Sequence, residues 1–190
     1  MDLIKNINAK RGLKRNTALS KLLDLPHGAR VLDVSCGTGE LLKILSKKSD
    51  SLELYGTDIS KEAIEQASKN VPNAKFVTTA SDNLPFDQQF FDVIVCAMAL
   101  HHYSNPKQTL AEMSRVIKNG GKLYLLDVTP STPFSQRVYN FFGCYEKYHF
   151  EKFYTQEDIA GITLAENFSF IKATTLKAIP RLRLLEFKKV

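Results

Sequence analysis

Two hydrophobic periods alternate along the chain. Runs at 31–34, 51–57, 74–78, 91–97 and 122–128 are rich in apolar residues, and the fourth is apolar on both faces, as a strand in the middle of a parallel sheet is. Between the runs, apolar residues recur every three or four positions. Leu41, Leu42 and Leu45 follow the first run, Ala63, Ile64 and Ala67 the second, and Leu110, Met113, Val116 and Ile117 the fourth. These are helix faces, and their ends are marked. Ser60 is an N-cap for a helix reaching about residue 70, where Val71-Pro72-Asn73 breaks it. Asn105-Pro106 joins an N-cap to a proline at the first helical position, and Asn119-Gly120-Gly121 stops that helix. Upstream, residues 1–12 read as loose polar chain. Residues 16–25 read as a short helix with Leu19, Leu22 and Leu23 on one side, stopped by Pro26.

Five strands separated by helices predict a doubly wound parallel sheet in an α/β domain. The end of the chain differs. Thr155-Gln156-Glu157-Asp158 is a capping box that opens a further helix. Two β-rich runs follow, 168–176 and 182–188, with Pro180 between them and no room for a helix, so they pair as an antiparallel hairpin. The expected fold is a single domain over residues 1–190 with a seven-stranded, mostly parallel sheet and an antiparallel C-terminal hairpin strand. Residues 1–27 form an N-terminal segment, 28–130 the ligand-binding core, and 131–190 an aromatic region, a helix and the hairpin.

The first strand runs through Ser35-Cys36-Gly37-Thr38-Gly39 into a helix. Glycines there let backbone amides approach a ligand, and the helix N-terminus adds partial positive charge. Asp58 ends the second strand, 21 positions after Gly37. A carboxylate in that place accepts hydrogen bonds from ribose hydroxyls and otherwise has little structural purpose. The pyrophosphate pattern GxGxxG fails, because Leu42 stands where its third glycine belongs, and no GxxxxGK[ST] occurs. A ribose-binding acid without diphosphate machinery points to an adenosyl ligand lacking the diphosphate.

Composition narrows the setting. The chain has 190 residues, 44% hydrophobic and 24% charged, as one soluble domain does. The longest apolar run, 93–100, is too short to span a bilayer. Lys5, Lys10, Arg11, Lys14 and Arg15 break up any apolar leader, so a cytoplasmic protein is expected. Cys36, Cys96 and Cys144 lie too far apart for a metal-binding CxxC pair, and no metal site is expected. The net charge of +6 sits at the ends: seven Lys/Arg against two Asp in residues 1–30, and five against one Glu in 177–190. Such ends attract nucleic acid, phosphorylated substrates or membrane surfaces. Since no nucleic-acid motif accompanies them, solvated basic segments are the favoured reading.

Val31-Leu32-Asp33-Val34-Ser35-Cys36-Gly37-Thr38-Gly39 resembles the first motif of class I S-adenosylmethionine-dependent methyltransferases. Tyr55-Gly56-Thr57-Asp58-Ile59-Ser60 resembles their acidic second motif. Asp82-Asn83-Leu84-Pro85-Phe86, Phe91-Asp92-Val93-Ile94-Val95, Ala99-Leu100-His101-His102 and the stretch from Arg115 to Leu123 follow in the family's order. The similarity covers about 28–130 and points to the branch with the ubiquinone and menaquinone biosynthesis methyltransferases. It implies a Rossmann-like fold, S-adenosylmethionine as cofactor and S-adenosylhomocysteine as product. By position it implies that Asp33 and the backbone of Ser35, Cys36, Gly37 and Gly39 hold the methionine end. Asp58 would take the ribose and Ile59 the adenine face. Ser81 and Asp82 would sit at the adenine edge, and Ala97 and Met98 beside the sulfonium.

Two positions depart from the family. Ser35 replaces a usual glycine, which is tolerable at negative φ. Ala80 replaces an aspartate that binds the adenine amino group, leaving Ser81 or Asp82 to substitute, at a loss of roughly 1 kcal/mol if neither does.

Methyl transfer needs a base only if the nucleophile must lose a proton. His101 and His102, just past the fourth strand, are the candidates, with Asp127 a second; shaping the loop is the competing role. The nine aromatics between Phe134 and Tyr154 (Phe134, Tyr139, Phe141, Phe142, Tyr145, Tyr148, Phe150, Phe153, Tyr154) form either a lid or core. No Asn/Asp-Pro-Pro-aromatic motif follows the fourth strand, which disfavours exocyclic amino acceptors. The expected activity is methylation of a small organic acceptor on oxygen or carbon. The alternatives are an RNA methyltransferase using the basic termini and a degenerate, non-enzymatic cofactor-binding protein. The sequence leaves the oligomeric state open.

Overall fold

The computed structural model describes residues 2–143, 152–176 and 181–190. Cys144, Tyr145, Tyr148, Phe150 and the Pro180 turn lie outside them, as does the side chain of Phe142. The strands are β1 (Arg30–Val34), β2 (Glu53–Asp58), β3 (Lys75–Thr78), β4 (Phe91–Ala97), β5 (Ile117–Val128), β6 (Phe168–Thr175) and β7 (Leu182–Lys189). The helices are α1 (Asp2–Leu22), α2 (Glu40–Ser46), α3 (Lys61–Asn70), α4 (Pro106–Val116), α5 (Pro133–Gly143) and α6 (Gln156–Leu164).

One sheet has the order β3-β2-β1-β4-β5-β7-β6. The first five strands run parallel, and β7 enters antiparallel between β5 and β6. The chain reverses its direction of winding between β1 and β4, and the loops at the C-terminal ends of these two strands part there to form a crevice. Alternation sends Leu32 and Val34 to the side covered by α4 and α6, where they join Ile94, Leu110, Met113 and Ile159. Val31, Val93 and Val95 point the other way, onto Leu19 of α1 and Leu41, Leu42 and Leu45 of α2. Leu42 is fully buried, filling the place that a glycine takes in a diphosphate-binding turn. Ser60 caps α3 by accepting the Ala63 N–H at 3.1 Å, and Asn105 caps α4 through the Gln108 N–H. The Thr155–Asp158 capping box is complete in both directions.

Two sequence expectations are corrected. The N-terminal helix is not short. It begins at Asp2, and the stretch read as loose is helical; Gly12, its weakest former, costs only about 1 kcal/mol. Asn16, Leu19 and Ser20 of its second half face inward, as does Leu23 just beyond its end, while Leu22 is 39% exposed. Second, α4 ends at Val116 rather than at Asn119-Gly120-Gly121. Ile117 is extended and pairs with Phe91, and the register slips before Val93 meets Lys122. Gly120 at φ +79° and Gly121, where a Cβ would lie 2.7 Å from Ile117, fold this irregularity back into β5.

Candidate functional site

Two cavities open at the C-terminal ends of β1, β2 and β4. The first, about 640 Å³, is lined by Asp33, Ser35, Cys36, Gly37, Ala97 and Met98, and by Lys10, Arg15 and Asn16 of α1. The second, about 580 Å³, is lined by Asp58, Ile59, Ala80, Ser81, Asp82, His102 and Tyr103, again with Ser35 and Met98. Ser35 and Met98 are therefore the waist of one elongated cleft. Both have positive φ, 62° and 59°, in a region costly for residues with a Cβ and frequent at functional sites. The negative φ at which serine would be tolerable in place of glycine is thus not what Ser35 adopts. Its hydroxyl sits 2.8 Å from the Tyr103 hydroxyl.

The end of the cleft beside α1 is polar and charged. Asp33 is 3% exposed, and its carboxylate lines the cleft with no hydrogen-bond partner among the described residues. Burial, with the negative charge of Asp58 second, pushes its pKa up to about 7, while Arg15 pulls it down. Arg15 is in turn pushed down by its own burial and raised by Asp33 and Asp127. A buried carboxyl and a half-buried cation in one cavity match an amino acid zwitterion, whose ammonium and carboxylate meet the opposite groups.

The other end is apolar at its face and polar at its edge. Asp58 accepts the Gly37 N–H at 2.8 Å on one oxygen and the Ser60 N–H at 3.0 Å on the other. It therefore does have a structural role, because it ties the glycine turn to the end of β2. Each oxygen keeps a second lone pair for a ligand. Ile59 is 77% exposed on the cavity wall, as a residue waiting for a flat ring would be. Ser81 is 3.1 Å from Thr109 and so engaged, whereas Asp82 is exposed at the edge. The loop carrying these residues is clamped from α4. Arg115 donates to the Leu84 and Phe86 carbonyls at 2.7 and 2.8 Å and to Glu112, which itself accepts the Leu84 N–H.

Of the sequence-derived site residues, Asp33, Ser35, Cys36, Gly37, Asp58, Ile59, Ser81, Asp82, Ala97, Met98 and His102 line the cleft. Gly39 and His101 do not. Gly39 opens α2 at φ 77° and lies so close to α3 that a Cβ would be 3.1 Å from Ala67. His101 is buried and turned into the protein: its Nδ1 is 2.7 Å from Asp127, and its ring stacks on Phe153 at 5.1 Å. Asp127 also accepts the His101 and Val128 N–H groups, so this pair is committed within the fold. His102 is exposed at the cleft mouth. Burial pushes the Cys36 and Cys96 thiols up, Cys96 to about 12, so neither is a thiolate at neutral pH. Among the described aromatics, Phe134 and Phe141 are exposed and Tyr154 is buried.

Sequence reasoning missed Lys10 and Arg15, which it assigned to loose or solvated basic chain, Asn16, which it placed at the start of a short helix without a site role, and Tyr103. The unbroken helical run ahead of Pro26 was the available signal for the first three. Nothing in the sequence marks Tyr103.

Comparison with known proteins points the same way. Residues 32–125 match the family described as "Methyltransferase domain". A demethylmenaquinone methyltransferase from Thermotoga maritima is 33% identical over 115 residues, covering 60% of this chain and 50% of that protein. One from a Geobacillus strain is 31% identical over 144 residues, covering 72% and 62%. The chain spans about half the length of the curated relatives it matches. The YcgJ protein of Bacillus subtilis has the same fold, with a TM-score of 0.76 at 20% identity over 92% of this chain and 97% of that one.

Proposed function

We propose that the chain is a class I S-adenosylmethionine-dependent methyltransferase of the ubiquinone and menaquinone branch, to whose members it is similar, and that it methylates a small organic acceptor on oxygen or carbon. The observation that carries this reading is the cleft itself. It offers a buried carboxylate with no hydrogen-bond partner among the described residues and a cation at one end, a ribose-type acid and an exposed isoleucine at the other, and Ser35 and Met98 between them. The residues fit the cofactor in order. Asp33 takes the ammonium, Arg15 with Lys10 and Asn16 the carboxylate, Asp58 the ribose, Ile59 the adenine face, and Asp82 the amino edge that Ala80 leaves unserved.

S-Adenosylmethionine supplies a methyl group on a sulfonium, already activated for displacement. The chain's contribution is alignment and exclusion of water. Ser35 and Met98 form the waist where the methyl would emerge. His102, at the mouth, is placed to orient an acceptor or receive its proton; His101 supports the loop through Asp127. Relatives are named for demethylmenaquinone and for phthiotriol dimycocerosates, which supports a small organic acceptor for this chain. The RNA-directed alternative loses ground because Lys10 and Arg15, part of the basic terminus, line the cleft. Likewise, no helix among the described residues is long and apolar enough to cross a membrane.

The test is thermal denaturation with S-adenosylhomocysteine, with NAD as control. At about 100 times its dissociation constant the ligand should stabilise the fold by about 2.7 kcal/mol, several degrees for a domain this size. No shift, or an equal shift with NAD, overturns the reading.

A further inference from the structure

We propose that Tyr103 is a positioning residue that locks the cofactor turn in its left-handed bend, and that it does so because Ser35 is not glycine. The inference rests on the cofactor reading above for its consequence, but its structural basis is independent of it. Ser35 lies at φ 62°, where a Cβ crowds the backbone and only glycine sits at ease. Its hydroxyl is 2.8 Å from the Tyr103 hydroxyl, which reaches across from the far side of the cleft, 68 positions along the chain. The same phenol oxygen is 3.3 Å from the Cys96 sulfur at the C-terminal end of β4.

The donors and acceptors close in either direction. If Ser35 donates to Tyr103, Tyr103 donates to Cys96; if Cys96 donates, Tyr103 donates to Ser35. Burial pushes the Tyr103 pKa well up, so the phenol stays protonated and keeps both bonds. One hydroxyl thus joins the turn after β1, the end of β4 and the loop carrying His102. These are the three pieces that meet at the waist. A glycine at position 35 would hold the bend unaided; serine holds it by this bond. Tyr103 then couples the shape of the cofactor turn to the loop on the acceptor side.

Four variants decide the matter, each read for melting temperature and for S-adenosylhomocysteine affinity by calorimetry. Tyr103→Phe keeps the ring and removes the bond, and should lower affinity about five-fold and melting by a few degrees. Ser35→Ala keeps the Cβ in the left-handed region without the bond, and should do the same. Ser35→Gly, which is free of the left-handed strain, should lose clearly less than Ser35→Ala in both readouts. Adding Ser35→Gly to Tyr103→Phe should recover most of what Tyr103→Phe loses. A silent Tyr103→Phe, equal losses in Ser35→Ala and Ser35→Gly, or simple addition in the double variant would each overturn the lock. If the wild type binds no S-adenosylhomocysteine, the cofactor reading falls while the melting temperatures still judge the lock.

Discussion

Asn in place of Asp33 should leave a more stable protein that binds its ligand worse. The folded carboxyl holds its proton up to about pH 7, against an ordinary value of 3.8. Between those values the folded state binds more protons than the unfolded chain, so this group's contribution to stability falls as pH rises. Roughly three units at 1.36 kcal/mol each give a penalty of about 4 kcal/mol, absent near pH 4 and complete above pH 7. Arg15 is already counted in that value. Asparagine carries no such charge. The stability difference between Asp33→Asn and wild type should therefore grow from near zero at pH 4 to at most about 4 kcal/mol at pH 8, on the order of 10 °C in melting temperature. Urea denaturation at pH 5, 6, 7 and 8 reads this directly. Ligand binding should move oppositely. The carboxylate is the binding form, so wild-type affinity for S-adenosylhomocysteine should rise about ten-fold per pH unit up to pH 7 and then level off. The variant should lose that slope and bind about thirty-fold more weakly at pH 8, the loss of a charged hydrogen bond. A stability difference that does not change with pH, or a variant with undiminished affinity, would refute the assignment of Asp33 as a strained, ligand-directed carboxylate.

Other perturbations test the supports of the cleft. At Gly56 an added Cβ would lie 2.7 Å from the Phe76 ring and 2.8 Å from the Cys36 sulfur, so Gly56→Ala should cost about 1–3 kcal/mol by overpacking beneath the glycine turn, measured by chemical denaturation. Arg115→Ala releases the Leu84 and Phe86 carbonyls and Glu112; it should cost about 2–3 kcal/mol and weaken ligand binding through the loop at 80–82. His101→Ala removes the Nδ1 bond to the buried Asp127, which keeps only its two backbone N–H donors, and the stacking on Phe153; it should destabilise by about 1–3 kcal/mol, whereas His102→Ala should cost far less stability while altering turnover. Equal stability losses for the two histidines would contradict the division of roles between them.

The strands, the C-terminal hairpin and the caps at Ser60, Asn105 and Thr155 were legible because local pattern decides them. A run such as Val31–Leu32 is apolar on both faces only in a covered sheet, and a capping box reads over four residues. What escaped depends on contacts between distant positions. Lys10, Arg15 and Asn16 of α1 line the cleft rather than the core, and no local pattern distinguishes polar residues that face a cleft from polar residues that face solvent. No propensity marks the positive φ of Ser35 or Met98; the bond to Tyr103, 68 residues away, holds the first. The second role of Asp58 was hidden for the same reason, since its partner Gly37 comes close only when β1 and β2 pair. His101 and His102 look alike in sequence, yet the backbone turn at Leu100–His102 sends one inward and one to the mouth.

A crystal structure of the protein with S-adenosylhomocysteine tests the central claim most directly. The account predicts the amino acid end between Asp33 and Arg15, the ribose on Asp58, the adenine against Ile59, and the sulfur at the waist between Ser35 and Met98. A ligand lying in the reverse sense, with its adenine beside α1, or one bound outside this cleft, would contradict it.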